Sequence, residues 1–388
     1  MPALNRIADY APEMTAWRRH LHANPELGFD CHQTAAFVVD RLREMGITEI
    51  ETGIAESGIV ALIEGSAPGP TIGLRADMDA LPIVEETGAD HASTVPGKMH
   101  ACGHDGHTTM LLGAARYLSE TRNFAGRVAL IFQPAEEFGG GGRVMREAGI
   151  LDRYDVSEVY AIHCAPDFEA GTFHTRPGPI MAAVDEFEIT VTGKGGHAAY
   201  PHTTADPVAC ALQIGQALNS IVSRNTDPID NLVVSLTQIH GGSANNVIPQ
   251  SVRLSGTVRS FRPAVQAMVQ DRIAAICTGS GLAMGCEVAL DYQTDYPATV
   301  NDPERTAFAA EVARDLAGDA NVDADTAPMM GAEDFSYLLE ARPGAYVFLG
   351  QGIGPFCHHP AFDFNDEVAP LGASFLARLV ERASPLPG

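Results

Sequence analysis

The sequence predicts an α/β protein whose larger domain is a mainly parallel sheet flanked by helices, interrupted by a smaller ferredoxin-like α+β domain. Three observations carry that prediction. Short apolar runs bounded by Gly and Pro alternate with helical patterns through the first half of the chain. After about residue 183 the pattern becomes strand–helix–strand–strand–helix–strand, and helices resume near 303. A chain of 388 residues also exceeds what one ordinary core holds. The larger domain is placed at 1–183 and 297–388, with 184–296 inserted between its halves.

In chain order, residues 12–23 and 32–45 carry helical periodicity, the second through Ala36, Val39, Leu42 and Met45. Between them His20–Phe29 is rich in turn formers. Ile59–Ile63 and Thr71–Leu74 read as buried strands, and the second exits into Arg75, Asp77 and Asp79. Asp105 then stands where it can cap a helix burying Met110, Leu111, Ala114, Ala115 and Leu118. Val128–Phe132 runs into Gln133, Glu136 and Glu137, and Val159–Ile162 runs into His163. In the second region Phe187–Val191, Leu232–Ile239, Val252–Val258 and Glu287–Leu290 read as strands, with helices over 205–222 and 263–278. Helices near 303–316 and 369–383 and a strand at Tyr346–Leu349 return the chain to the first domain.

Composition narrows the function. Acidic residues outnumber basic ones, 49 to 25, so the formal charge is 25 − 49 = −24, which repels phosphate backbones and anionic membranes. Nucleic-acid and membrane partners are therefore not expected. No apolar run is long enough to span a bilayer, and Met1–Tyr10 lacks the apolar core of a secretory signal. Seven scattered cysteines argue against a disulfide framework, so a soluble cytoplasmic protein is expected.

The chemistry concentrates in His100–His107, where three imidazoles, the Cys102 thiol and the Asp105 carboxylate fall within eight residues. Thiolate, imidazole and carboxylate are the donors of a borderline ion such as zinc or manganese. Ligands of an α/β sheet gather beyond the carboxyl ends of its strands. Three strand ends here deliver Asp77, the Glu136–Glu137 pair and His163 toward that region. Two adjacent glutamates after a buried strand can divide labour, one holding a metal and the other taking a proton from an activated water. His358 and His359, late in the chain, could complete a metal shell, and spacing does not choose between them.

Five ordered motifs then resemble a known family across nearly the whole chain. They are His100–His107, Phe132–Glu137, Gly193–Ala199, Asn246–Pro249 and His358–Phe364. Together they resemble the hippurate hydrolase and indoleacetyl-amino-acid amidohydrolase subgroup of the dinuclear-metal aminoacylase–carboxypeptidase superfamily. The resemblance implies two divalent ions per subunit, zinc or manganese foremost and nickel or cobalt also compatible, held by Cys102, His104, Glu137, His163 and His358. It makes Glu136 the general base for a metal-activated water, His197 the donor to the oxyanion, and Asn246 and Arg259 the grip on a substrate carboxylate. Asp77 becomes a carboxylate that orients a ligand, while His359 stands where a small polar residue is expected and keeps an open role. Where relatives with other ligand sets carry a metal-binding histidine, this chain has Arg75.

The implied activity is cleavage of N-acyl amino acids, aromatic or aliphatic, to a carboxylic acid and a free amino acid. A dipeptidase or small-peptide exopeptidase on the same site is the alternative, and a non-catalytic metal-binding relative the more distant one. The inserted domain is implied to serve as lid and dimerisation domain, giving a homodimer or homotetramer. His107, Lys194 and His202 are left as structural or rim residues, and Met329–Gly331 and Gln351–Phe356 as segments that could line the acyl pocket.

Overall fold

The structure, a computed structural model, describes residues 4–387. Two compact units emerge. The first contains the chain through Ile180, Thr299–Pro328 and the stretch from Asp334 onward; the second contains Met181–Ala298 and the short stretch Met329–Glu333. That short stretch is a second excursion of the chain, which the sequence pattern does not announce.

The first unit is built on an eight-stranded sheet. Strands β1 (Ile50–Ile54), β2 (Gly58–Glu64), β3 (Ala67–Asp77), β4 (Ala125–Gln133) and β5 (Val156–Ala165) lie in the order β1-β2-β4-β3-β5. Gly344–Gly350, Phe173–His174 and Val322–Asp323 continue it. The centre, from β4 through β3 and β5 to Gly344–Gly350, is parallel, and β1 and β2 add antiparallel at one side. Parallel strands are covered on both faces, and β4 and β5 are accordingly almost continuously apolar and buried, as is the antiparallel β2 beside them. The longest strand of this sheet that the sequence does not announce is β1: its half-exposed Ile-Glu-Thr-Gly-Ile sequence, broken by Gly53 at φ +80°, carries no buried-strand signature, and the two-residue strands Phe173–His174 and Val322–Asp323 are too short to carry one.

Register places the chemistry. Asp77 pairs with Gln133, three residues before Glu136, and Arg75 pairs with Ala161, two before His163. The carboxyl ends of three adjacent parallel strands therefore meet at one margin of the sheet. His163 lies inside β5 rather than beyond it, because pairing with Phe348 extends the strand to Ala165.

The helix His104–Thr121 packs against β3 and is buried on nearly every side over its first twelve residues. It packs against Ala369–Ala383 and Ala11–Ala23. Two sequence expectations shift here. Asp105 does not cap the helix; Gly103 precedes it at φ +88°, and the Asp105 carboxylate is drawn instead to His22, 2.8 Å away, and Arg18, 3.8 Å away. The buried stripe of His32–Glu44 is Ala35, Val38, Val39 and Leu42, which leaves Ala36 exposed.

The second unit is a four-stranded antiparallel sheet in the order Leu232–Gly241, Ser251–Ser260, Ala183–Thr192, Glu287–Thr294. By order of appearance this is 2-3-1-4, the ferredoxin-like arrangement. Helices Pro207–Ser220 and Pro263–Met284 pack together on it over a core that includes Phe187, Ile189, Ile214, Val258 and Ile273.

Candidate metal centre

The first unit gathers donors from four places in the chain. Cys102, His104 and His163 each offer an atom within 4.8 Å of the others; so do Cys102, Glu137 and His358, and so do His104, Glu136 and Glu137. The three sets share members and form one continuous cluster. Cys102 Sγ lies 3.5 Å from His163 Nε2, and His358 Nε2 lies 3.2 Å from Glu137 Oε2.

Local backbone geometry presents these side chains. Gly103 is required: a Cβ there would sit 2.3 Å from Cys164 Sγ, and the φ of +88° suits only glycine well. Ala135 (φ +57°) and His358 (φ +68°) hold the same left-handed conformation without being glycine, a strain characteristic of functional turns. The His358 amide is tied to the Ala101 carbonyl at 2.7 Å, which brings the late segment against Cys102. His359 turns away, its Nδ1 accepting the Ala361 amide at 3.0 Å.

Hydrogen bonds fix which ring nitrogens face the cluster. His104 Nδ1 donates to the Asp79 carbonyl at 2.8 Å and His163 Nδ1 to the Cys164 carbonyl at 2.6 Å, so each ring offers Nε2 as a ligand atom. Buried His104 Nε2 and Glu137 Oε1 have no hydrogen-bond partner. Orphaned polar atoms at such a point fit a cation, and the thiol–imidazole–carboxylate set fits a first-row divalent metal.

The electrostatics agree. Burial alone would lower the His104 pKa, but the Asp77 carboxylate, the bond to Asp79 and the Glu137 charge push it up to about 10. Without metal the pocket thus retains a proton where a divalent ion would replace it. Burial, with His107 alongside, holds His163 well below the usual histidine range, keeping it neutral and able to ligate. The neighbouring Cys357 thiol and burial raise Cys102 well above the usual thiol range, so metal binding there displaces a proton.

Three contributors were given no role in the site by the sequence. Asp79, fully buried, accepts the amides of Glu136 (2.9 Å) and Glu137 (3.2 Å) on its two oxygens. His107, left as structural or rim, is structural rather than rim: it is 1% exposed, with Nδ1 at 2.7 Å from Asp77 Oδ1 and Nε2 accepting the Cys164 amide at 2.9 Å. Asp334 bonds Arg75, Gln133 and the Gly142 amide. The Asp-x-Asp spacing after β3 was the available signal for Asp79; Asp334 lies too far along the chain for spacing to find it. Asp77 is bonded to Arg75 and His107, with Oδ2 3.7 Å from His104 Nε2.

His197, Asn246 and Arg259 belong to the second unit. His197 pairs with Val247 in a two-stranded ribbon, and the Asn246 carbonyl accepts the Ala198 amide at 3.0 Å, so these two are neighbours. Gly195 lets the ribbon close, since a Cβ there would lie 2.7 Å from the Ile248 carbonyl. The exposed His197 ring accepts the Ala199 amide on Nδ1 at 3.1 Å, which places the neutral ring's proton on Nε2. Arg259, on Ser251–Ser260, donates to Thr257 Oγ1 and to the Val258 carbonyl at 3.1 Å.

A dinuclear-type donor cluster at the carboxyl margin of a parallel sheet, in a chain with a ferredoxin-like insertion, defines a metal-dependent hydrolase class. The model of peptidase family M20/M25/M40 matches residues 73–382, and the chain belongs to that family. It is similar to "Thermostable carboxypeptidase 2" of Saccharolobus solfataricus, 40% identical over 387 residues covering 96% of this chain and 97% of the relative. It is also similar to "Hippurate hydrolase" of Campylobacter jejuni, 38% identical with 98% of each chain covered. A crystal structure of a Bacillus subtilis protein, described as a dinuclear metal binding peptidase from the M20 family, superposes with a TM-score of 0.85 at 34% identity, covering 97% of this chain and 99% of that one. The protein is an amide-bond hydrolase, and its donor clusters support two metal ions. Among the described residues no helix is long and apolar enough to cross a membrane.

Proposed function

We propose that this enzyme cleaves N-acyl amino acids to a carboxylic acid and a free amino acid. The observation that carries the reading is the pair of orphaned buried atoms, His104 Nε2 and Glu137 Oε1, each set beside Glu136 in one donor cluster. Cys102, His104, Glu137, His163 and His358 would hold two divalent ions, zinc or manganese by the mixed S/N/O donor set, with nickel or cobalt compatible. Two ions held there would supply Lewis acidity to the amide carbonyl and lower the pKa of the attacking water.

The residues of the chain do the rest. Glu136, a buried carboxylate on the turn held by Asp79, takes the proton of the water and delivers it to the leaving nitrogen as the C–N bond breaks. His197, with its proton on Nε2, donates to the oxyanion. Arg259, half-buried with its donors engaged only by neutral acceptors in these two bonds, grips the substrate carboxylate together with Asn246. Asp77 acts behind the donors, bonded to Arg75 and His107.

Exposed Leu212, Ile239 and Leu282 on the second unit fit a homodimer that buries them, with pairing of dimers into a homotetramer as its extension. A thiolate donor at Cys102 and seven unpaired cysteines suit the reducing cytoplasm. The test is Glu136→Ala: both metals are retained while turnover of N-benzoylglycine and N-acetyl amino acids falls about 10²–10⁴-fold. Undiminished turnover would overturn the mechanism. The carboxypeptidase relative favours a second reading, peptide cleavage at the same site; faster hydrolysis of free dipeptides than of N-acyl amino acids would establish it.

A further inference from the structure

The cluster holds more potential donors than the proposed ligand set uses. Asp77, His104 and His107 also form a group whose donor atoms lie within 4.8 Å of one another, as do His107, His163 and Cys164. Something must decide which of them reach the metals. Both oxygens of Asp77 are committed elsewhere: Oδ2 to Arg75 at 2.6 Å and Oδ1 to His107 Nδ1 at 2.7 Å. His107 spends its other nitrogen on the Cys164 amide.

Arg75 is in turn fixed from behind. Its Nε donates to Gln133 Oε1 at 2.9 Å and its second terminal nitrogen to Asp334 Oδ1 at 2.9 Å, while the Phe335 ring lies 5.8 Å from the guanidinium. Asp334 is fully buried and also accepts from Gln133 Nε2 and the Gly142 amide. A planar fork held on both sides cannot swing away without stranding buried charge.

We propose that Arg75 and Asp334 are positioning residues that keep the Asp77 carboxylate off the metals and so set which donors form the shell. The proposal rests on the dinuclear reading above. It makes a prediction opposite in sign to that of simple structural damage. Freeing Asp77 removes a buried cation and adds an anionic donor, so metal binding tightens while turnover falls. A network that merely supported the fold would, when broken, weaken both.

The experiment uses the full-length enzyme loaded with cobalt(II) as a spectroscopic probe. Arg75→Met combined with Asp334→Asn removes the cation without stranding its partner. The expected result is a weaker visible d–d absorption, as coordination number rises, with cobalt affinity increased on the order of tenfold and kcat lowered. Adding Asp77→Asn to that variant returns the spectrum and affinity toward wild type. Arg75→Lys, which keeps the charge, stays near wild type in the spectrum. Asp77→Asn alone, the mildest change and the safeguard if the double variant misfolds, leaves the cobalt stoichiometry unchanged. Loss of a cobalt ion in Asp77→Asn alone would show Asp77 to be a ligand and overturn the proposal, as would weakened binding in the folded double variant. A wild-type enzyme that binds no stoichiometric cobalt would instead defeat the dinuclear reading itself.

Discussion

The Asp79 carboxylate closes directly on the backbone of Glu136: Oδ1 accepts the Glu136 amide at 2.9 Å, and Oδ2 reaches the next amide at 3.2 Å. The turn it holds contains Ala135 at φ +57°, so the clamp offsets local strain just where the two glutamates emerge. Asp79→Ala should weaken metal binding about 10–100-fold, read by competition against a chromogenic chelator. Equal affinity in the variant would show that the turn holds its shape unaided.

His197 is expected to contribute about 10²–10³ in kcat, with KM little changed, because it would act only on the developing oxyanion. Measuring His197→Ala gives the magnitude. Mixing inactive Glu136→Ala with His197→Ala protein, after subunit exchange, tests where the histidine comes from. Recovered turnover in the mixture requires His197 to act across the dimer; a mixture no more active than its parts places it in its own subunit.

Removing the metals should destabilise the fold. Asp77, Asp79, Glu136 and Glu137 converge around His104, and all four are buried or nearly so. Binding of a ligand at about a thousand times its Kd adds about 4 kcal/mol. Dialysis against a chelator should therefore lower the melting temperature, and zinc or manganese should restore it. A melting curve indifferent to both treatments would contradict a metal centre.

A second buried array, at the first turn of the helix His104–Thr121, contributes to the pH dependence. His22 has Nδ1 2.8 Å from Asp105 and Nε2 3.3 Å from Glu85. Burial opposes its protonation, but the bond to Asp105 and that carboxylate's charge outweigh burial and the repulsion of Arg18, so its pKa is raised. A raised folded pKa stabilises the fold fully below the unfolded value of about 6.5, and the benefit is lost as pH climbs through the folded value. His22→Gln should thus cost about 3 kcal/mol at pH 6 and progressively less in alkaline buffer, read by denaturant titration across pH. A cost constant with pH would mean that His22 is buried neutral.

Much of this was legible in the sequence because the elements that matter are locally encoded. Val128–Phe132 and Val159–Ile162 are apolar in unbroken runs, as doubly covered strands must be, and the structure extends them to β4 and β5. The strand-end rule then directed attention to Asp77, Glu136, Glu137 and His163, which the structure brings to one margin. What escaped depends on contacts between distant residues. Asp334 meets Arg75 across 259 positions, and no periodicity records that. Asp105 looked like a helix cap because a cap is a local signal; the buried cations that claim it, Arg18 and His22, are set by tertiary packing. Similarly β1 was overlooked because its half-exposed residues satisfy no strand pattern until β2 pairs with them.

His358, hydrogen-bonded through its amide to Ala101, has a consequence for how the protein is made. The donor cluster runs from Cys102 to His358. The ribosome must therefore extrude the whole second unit before the last imidazole can arrive. A nascent chain can fold β3, β4 and β5 early, yet it offers only a partial, weakly binding donor set until synthesis is nearly complete. On the proposed ligand set, metal acquisition would wait for the end of synthesis, and a chain terminated before His358 would lack one of its five donors.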